Sequence, residues 1–413
     1  MRKFLLDKGP YVRSVDEKKI SSERMMFDVI IALIPIVIFG FIFYGLLPYI
    51  NGFGNFYHML KPLINVLVGM LSSVLFETLY FLCFKKAGSL KNALLMAKDS
   101  FAAIPGLILA LICPARIDLY VIVYGCFFAN IIFKMLFGGL GHNIFNPALI
   151  GYAMCVLTFS GNFDTAISIQ NESVNALLNI TSSATPLANL GAQASAQGSF
   201  FVSYENIVAG YGNLFKLFLG FKNGYLGEVS GLLCLVGYVY LVVRKVINWR
   251  VPVFYVGTVF VLTWIIGIVN HVEGPVLGIW FPTFNILTGG LLFGAVFMAT
   301  EPVTTPKSPN GKVIFAVGCG IITVLCRLIG MYTEGVCTAI LFMCLFTPII
   351  DKFAASNRGP IITSKIVIKY VVLALIFGLI SFYTVYKTTS IPKDDMPIVE
   401  VDHIYMIGDD YNG

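Results

Sequence analysis

The chain has 413 residues, 57% of them hydrophobic and only 12% charged, with a formal net charge of +6 and a mean hydropathy of +0.84. A soluble domain is about 45–50% apolar and about 25% charged, so a soluble enzyme, a nucleic-acid binder and a disordered scaffold are excluded. The apolar residues fall in blocks of about 20, the thickness of a hydrocarbon core. The expected fold is an all-α polytopic membrane protein of ten or eleven transmembrane helices.

Residues 1–26 carry mixed charge and no early apolar core, and read as a cytoplasmic N-terminal segment rather than a cleaved signal. Helix 27–47 leads out and helix 62–84 returns to Lys85 and Lys86. A short apolar piece, 101–113, goes out and helix 119–137 comes back to Lys134. A short helix, 147–160, follows. Between Met135 and Phe215 there is no Lys or Arg, and 161–206 is rich in Ser, Asn, Ala, Gln and Thr. A long polar stretch without positive charge reads as extracytoplasmic, giving an outer loop at 161–227. Helices 228–243, 251–270, 279–299, 313–330 and 334–350 follow, with Arg244, Lys245 and Arg250 inside. The membrane domain is thus 27–353. Residues 354–413 add one more helix, 367–386, and a mildly acidic outer tail.

Residues 133–140 match 284–291 at five of eight positions. Together with Glu77/Cys83 against Glu228/Cys234, this suggests two pseudo-repeated halves with short broken helices. The nine cysteines form no Cys-x-x-Cys pair, so zinc and iron–sulfur centres are unsupported and no metal site is expected.

Three groups of residues could carry chemistry. Thr181–Leu187 is a hydroxyl-rich turn in the outer loop, which by itself is also what a solvated loop looks like. Gly138–Ala148 offers close backbone approach through its glycines and amide groups at Asn143 and Asn146, or is simply a turn between helices. Glu77, Glu228, Glu301 and Asp351 are carboxyls at or near membrane depth. Such groups are costly there and mark ion paths by default, although a neutralised structural carboxyl fits the residues too.

At these positions the chain resembles a known family. Val12–Ser14 with Met25–Pro35, the segment GGLGHNIFNPALIGYA, Gly227–Ser230, and TEPVTTPKSPNGK through Glu334–Val336 to Thr347–Asp351 look like the D subunit of the Rnf electron-transport complex. The B subunit of the sodium-translocating NADH:quinone oxidoreductase shares these motifs, and the likeness covers roughly residues 10–353. The resemblance implies FMN held by a phosphoester on Thr185, flanked by Ser183 and Ala184. The family's acidic residue six before the Thr and Gly two before it are here Asn179 and Ser183. It also leaves room for a second, non-covalent flavin (riboflavin) near GGLGHNIFNP.

The implied role is a membrane subunit of a redox-driven Na⁺ or H⁺ pump in a bacterial inner membrane, of ferredoxin:NAD⁺ oxidoreductase type. It would relay electrons without being catalytic alone. Its partners would be the other subunits and a flavin transferase, with no nucleic acid. The quinone-reductase B subunit, a flavin-free permease or channel, and a ligand-free assembly scaffold are the competing readings.

Overall fold

The computed structural model describes residues 22–85, 87–178, 187, 204–208, 211–270, 272, 278–329, 335–355 and 364–389. Among them every regular element is helical. α1 (Ser22–Phe41) continues through a π-helical turn, Ile42–Leu46, to Ile50. α2 is Phe56–Cys83, α3 Leu90–Asp99 and α4 Ala103–Leu111. α5 (Leu119–Phe127) runs on as a π-helix, Phe128–Met135. α6 (Pro147–Thr158), α7 (Ser160–Leu178), α8 (Leu214–Leu219), α9 (Gly231–Val243) and α10 (Arg250–Val269) follow. α11 (Trp280–Leu287) is followed by α12 (Leu291–Phe293), extended by a π-turn to Met298. α13 (Pro309–Leu328), α14 (Val336–Ala355) and α15 (Ser364–Thr389) complete the described chain.

Six helices are long and apolar enough to cross a membrane, or up to eight if the bent pairs α3–α4 and α11–α12 each count as one. Three shorter apolar helices, at 119–135, 147–158 and 231–243, bring the apolar segments to the expected eleven. The pairs bend by 59° and 67°. α3 escapes a hydropathy reading because it is amphipathic, with Lys91, Asn92 and Lys98 among its apolar residues.

The order α2, bent pair, α5, α6 recurs as α10, bent pair, α13, α14, so the halves do repeat. The repeat is not the one that the matching octets suggest. That match lays the end of α5 on α11, whereas element order lays α5 on α13. In that register Cys126, Asn130 and Lys134 share a spacing of four with Cys319, Thr323 and Arg327, and all six are buried. Within the first half α2 and α4 approach closely at glycines: a Cβ on Gly69 would lie 2.5 Å from the carbonyl oxygen of Gly106.

The loops expected on one side do gather at one end. Glu23 pairs with Lys98 at 3.8 Å and Asp28 with Arg244 at 3.1 Å. Helix polarity carries the turns after α1, α4 and α10 to the other end. There Gln170 ties the backbone of Ala115 to that of Gly224, at 2.7 and 2.6 Å.

Two expectations need correction. The polar stretch after residue 160 is not all loop: α7 forms because Phe163, Ala166, Gln170 and Val174 recur at helical spacing and are buried. Asp351 does not follow the tenth expected segment but lies on α14, which runs to Ala355.

Candidate functional site

At the end that holds the start of α1, a cavity of about 80 Å³ sits against the α3–α4 break. Its polar lining is Ser100, Lys134, Asn143, Asn146, Thr300 and Glu301, and the rest is largely apolar. Helix chemistry explains why these residues converge. The C-cap of α3 is Ser100, and a helix C-terminus leaves carbonyls without intrahelical partners. Lys134, at the end of α5, donates to the Ser100 carbonyl at 2.8 Å and ion-pairs with Glu77 of α2. Both side chains are almost wholly out of solvent. The second Glu77 oxygen has no hydrogen-bond partner among the described residues.

Glu301 lies across the cavity, beyond the end of α12, and accepts from the Thr304 hydroxyl at 3.0 Å. Burial pushes its carboxyl up to about 7, against the opposing pull of Thr304, Lys134 and Asn143. Asn143 is buried with its oxygen unpartnered among the described residues. Asn146 is partly committed to structure: it caps α6 by accepting from Ala148 at 3.0 Å, ahead of Pro147. Asn143, Asn146 and Glu301 therefore line one cavity, and Glu77 stands behind it, reached through the lining Lys134. Asp351 does not join them; it accepts from the backbone N–H of Lys307 at 2.9 Å.

The opposite end carries a counterpart at the α11–α12 break. Arg327 donates to the carbonyls of Asn285 and, at 3.4 Å, Thr288. Lys222 donates to that of Leu287. Glu228 is buried beside them, with its carboxylate lying where a Cβ on Gly290 would be, so a side chain there would push the carboxylate aside. Gly289 adopts φ +65°, a conformation that favours glycine, and a Cβ on it would lie 3.0 Å from Arg327 and 3.2 Å from Leu187. Leu187 is buried. Thr185, Ser183 and Ala184 lie outside the described residues.

Sequence reasoning does not find three charges: Lys134, Lys222 and Arg327. Lys134 reads as a solvent-facing charge that fixes topology, yet it is buried. The available signal is its setting: a single cation inside the apolar run FANIIFKMLF, as Arg327 is inside ITVLCRLIGM. Such a cation demands a buried partner.

The family model described as NQR2, RnfD, RnfE matches residues 6–359. The chain is 37% identical over 351 residues to the D subunit of the proton-translocating ferredoxin:NAD(+) oxidoreductase complex of Clostridium ljungdahlii, covering 85% of this chain and 94% of that protein. It is 31% identical over 348 residues to the D subunit of the Na(+)-translocating ferredoxin:NAD(+) oxidoreductase complex of Acetobacterium woodii, covering 84% and 92%. Against the B subunit of the Na(+)-translocating NADH-quinone reductase of Chromohalobacter salexigens it is 32% identical over 246 residues, 59% of this chain and 56% of that protein. The chain is a polytopic membrane protein that belongs to the NQR2, RnfD, RnfE family.

Proposed function

We propose that this chain is the D-type membrane subunit of an ion-translocating ferredoxin:NAD⁺ oxidoreductase, holding FMN as a phosphoester on Thr185. The observation that carries the ion-translocating role is the cavity: two carboxylates, Glu77 and Glu301, share the neighbourhood of one buried ammonium, Lys134. With both carboxylates ionised the group lacks one positive charge, and an uncompensated charge at such depth is costly. A monovalent cation or a proton balances it. The cavity of about 80 Å³ is large enough to admit water beside a small ion. Coverage favours the D type over the quinone-reductase B type, since the D-type relatives match over nearly their whole length.

The residues beside the other break suit a flavin anchored two positions before Leu187. Lys222 and Arg327 bring positive charge beside Glu228, Gly289 packs against Leu187, and the buried Asn285 oxygen has no partner among the described residues. The Thr185 hydroxyl would form the ester; Arg327 and Lys222 would favour negative charge nearby; the packed aliphatic wall at Leu187 would exclude water. Bound FMN supplies one- and two-electron transfer. Ferredoxin and NAD⁺ chemistry belong to partner subunits, and a flavin transferase would load Thr185. By the positive-inside rule we place the cavity end and the N-terminus in the cytoplasm of a bacterial cell.

The test is affinity purification of the tagged chain from its native membranes. The expected result is a multi-subunit complex that reduces NAD⁺ with reduced ferredoxin and moves Na⁺ or H⁺ in vesicles. A chain recovered without such subunits or activity contradicts the reading.

A further inference from the structure

Away from both helix breaks, the membrane boundary at the far end holds a charge group that the proposed function does not use. Arg116, in the turn after α4, is only 7% exposed. One of its terminal nitrogens donates to the carbonyl of His58 at 2.8 Å. Its Nε is buried and has no hydrogen-bond partner among the described residues. Lys61 of α2 is 8% exposed and lies 4.0 Å from Asp118, with its ammonium over the Tyr57 ring at 5.5 Å. Asp118 also accepts from the Asn162 amide at 3.1 Å. Asp118 thus pairs with Lys61, and Arg116 has no carboxylate within ion-pair distance among the described residues.

That charge faces a pocket. Arg116 and Asp118 line a polar hollow of about 270 Å³ together with Gly161, Asn162 and Thr165. The last three belong to the first turns of α7, whose N-terminal N–H groups and dipole favour an anion. The same end carries exposed aromatic side chains: Tyr49, Phe53, Phe56, Tyr57 and Tyr120. Exposed Tyr and Phe at the ends of membrane helices sit at headgroup depth, so the hollow opens where phosphodiesters lie.

We propose that this pocket is a binding site for the phosphodiester headgroup of an anionic phospholipid. The Arg116 guanidinium and the α7 N-terminus would hold the phosphate oxygens against the wall formed by Asn162 and Thr165, and Lys61 would keep Asp118 neutralised at the rim. Charge complementarity selects the lipid: a lipid of net charge −1 balances the cluster, whereas a zwitterionic lipid leaves it unbalanced.

The experiment is native mass spectrometry of the full chain released from nanodiscs of equal phosphatidylglycerol and phosphatidylcholine. Wild type should retain one phosphatidylglycerol. Arg116→Gln should lower that retention at least ten-fold. Thr165→Leu, which fills the hollow and leaves the Arg116 hydrogen bond in place, should do the same, and it decides alone if Arg116→Gln fails to fold. Undiminished retention in the folded variants overturns the proposal, as does equal retention of phosphatidylcholine. Displacement of the lipid by millimolar inorganic phosphate would assign the pocket to the free ion and overturn it as well.

Discussion

The two helix breaks use one device with different counter-charges. At the α3–α4 break a lysine from α5 meets the exposed carbonyl end and is neutralised by a carboxylate, Glu77. At the α11–α12 break an arginine from α13 and Lys222 meet the carbonyls of Asn285, Leu287 and Thr288. Broken membrane helices elsewhere offer such carbonyl ends to transported cations. Here tethered side-chain cations occupy them, so a mobile ion must be held beside the breaks. The difference lies in what remains beside each. The first leaves a cavity with a second carboxylate, Glu301; the second holds the buried carboxylate Glu228 against Gly290 and the buried Leu187 against Gly289. On the proposed function, one end serves a small cation and the other the FMN on Thr185.

The largest expected effect separates the breaks by charge. Lys134→Met leaves Glu77 buried without its counter-ion, and breaking a buried pair in this way costs about 3–5 kcal/mol. Thermal unfolding in detergent should show a marked loss of stability. Adding Glu77→Gln should restore much of it, because the unpaired charge is then gone. No recovery in the double variant would mean that Lys134 acts chiefly through the Ser100 carbonyl, and the contrast between the breaks would weaken.

Arg327→Met should cost less, roughly 2–4 kcal/mol, since it leaves two carbonyls short of a donor. The same unfolding assay ranks it against Lys134→Met; an equal or larger loss would reverse the ranking.

The smallest effect concerns Glu301. Its carboxyl is raised to about 7 by burial, and the ionised form is the one that binds a cation. Apparent Na⁺ affinity should therefore weaken as pH falls through about 7, and Glu301→Gln should flatten that dependence with little change in stability. Turnover against Na⁺ at several pH values reads it out. An unaltered pH profile in the variant would remove Glu301 from the ion path.

Much of the fold is legible because membrane helices announce themselves by length and hydropathy. The apolar segments stand where hydropathy puts them, and the loops after them sort to the expected ends. What hydropathy does not reveal is physically of one kind. A Lys or Arg near the end of an apolar run can face water or turn inward, and its place in the run does not distinguish the two; Lys134 therefore reads as a topology marker. α3 and α7 elude the same reading because their apolar residues are few and spaced along one face. The true register of the repeat lies in the buried Cys, polar and cationic triplets of α5 and α13, which octet matching in apolar sequence does not weigh. The convergence of Glu77 and Glu301 cannot be read from sequence at all, since it depends on how the two halves pack.

The account depends most on what the far end carries. The direct measurement is peptide mass spectrometry of the purified wild-type chain and of Thr185→Val, with in-gel flavin fluorescence after denaturation. The account predicts an FMN phosphoester on the peptide containing Thr185, a fluorescent band in wild type, and neither in the variant, at nearly unchanged expression. Occupancy below one in wild type that rises in Asn179→Asp would trace the shortfall to recognition by the transferase. FMN on another residue, or none in wild-type chain isolated from its native membrane, would contradict the assignment.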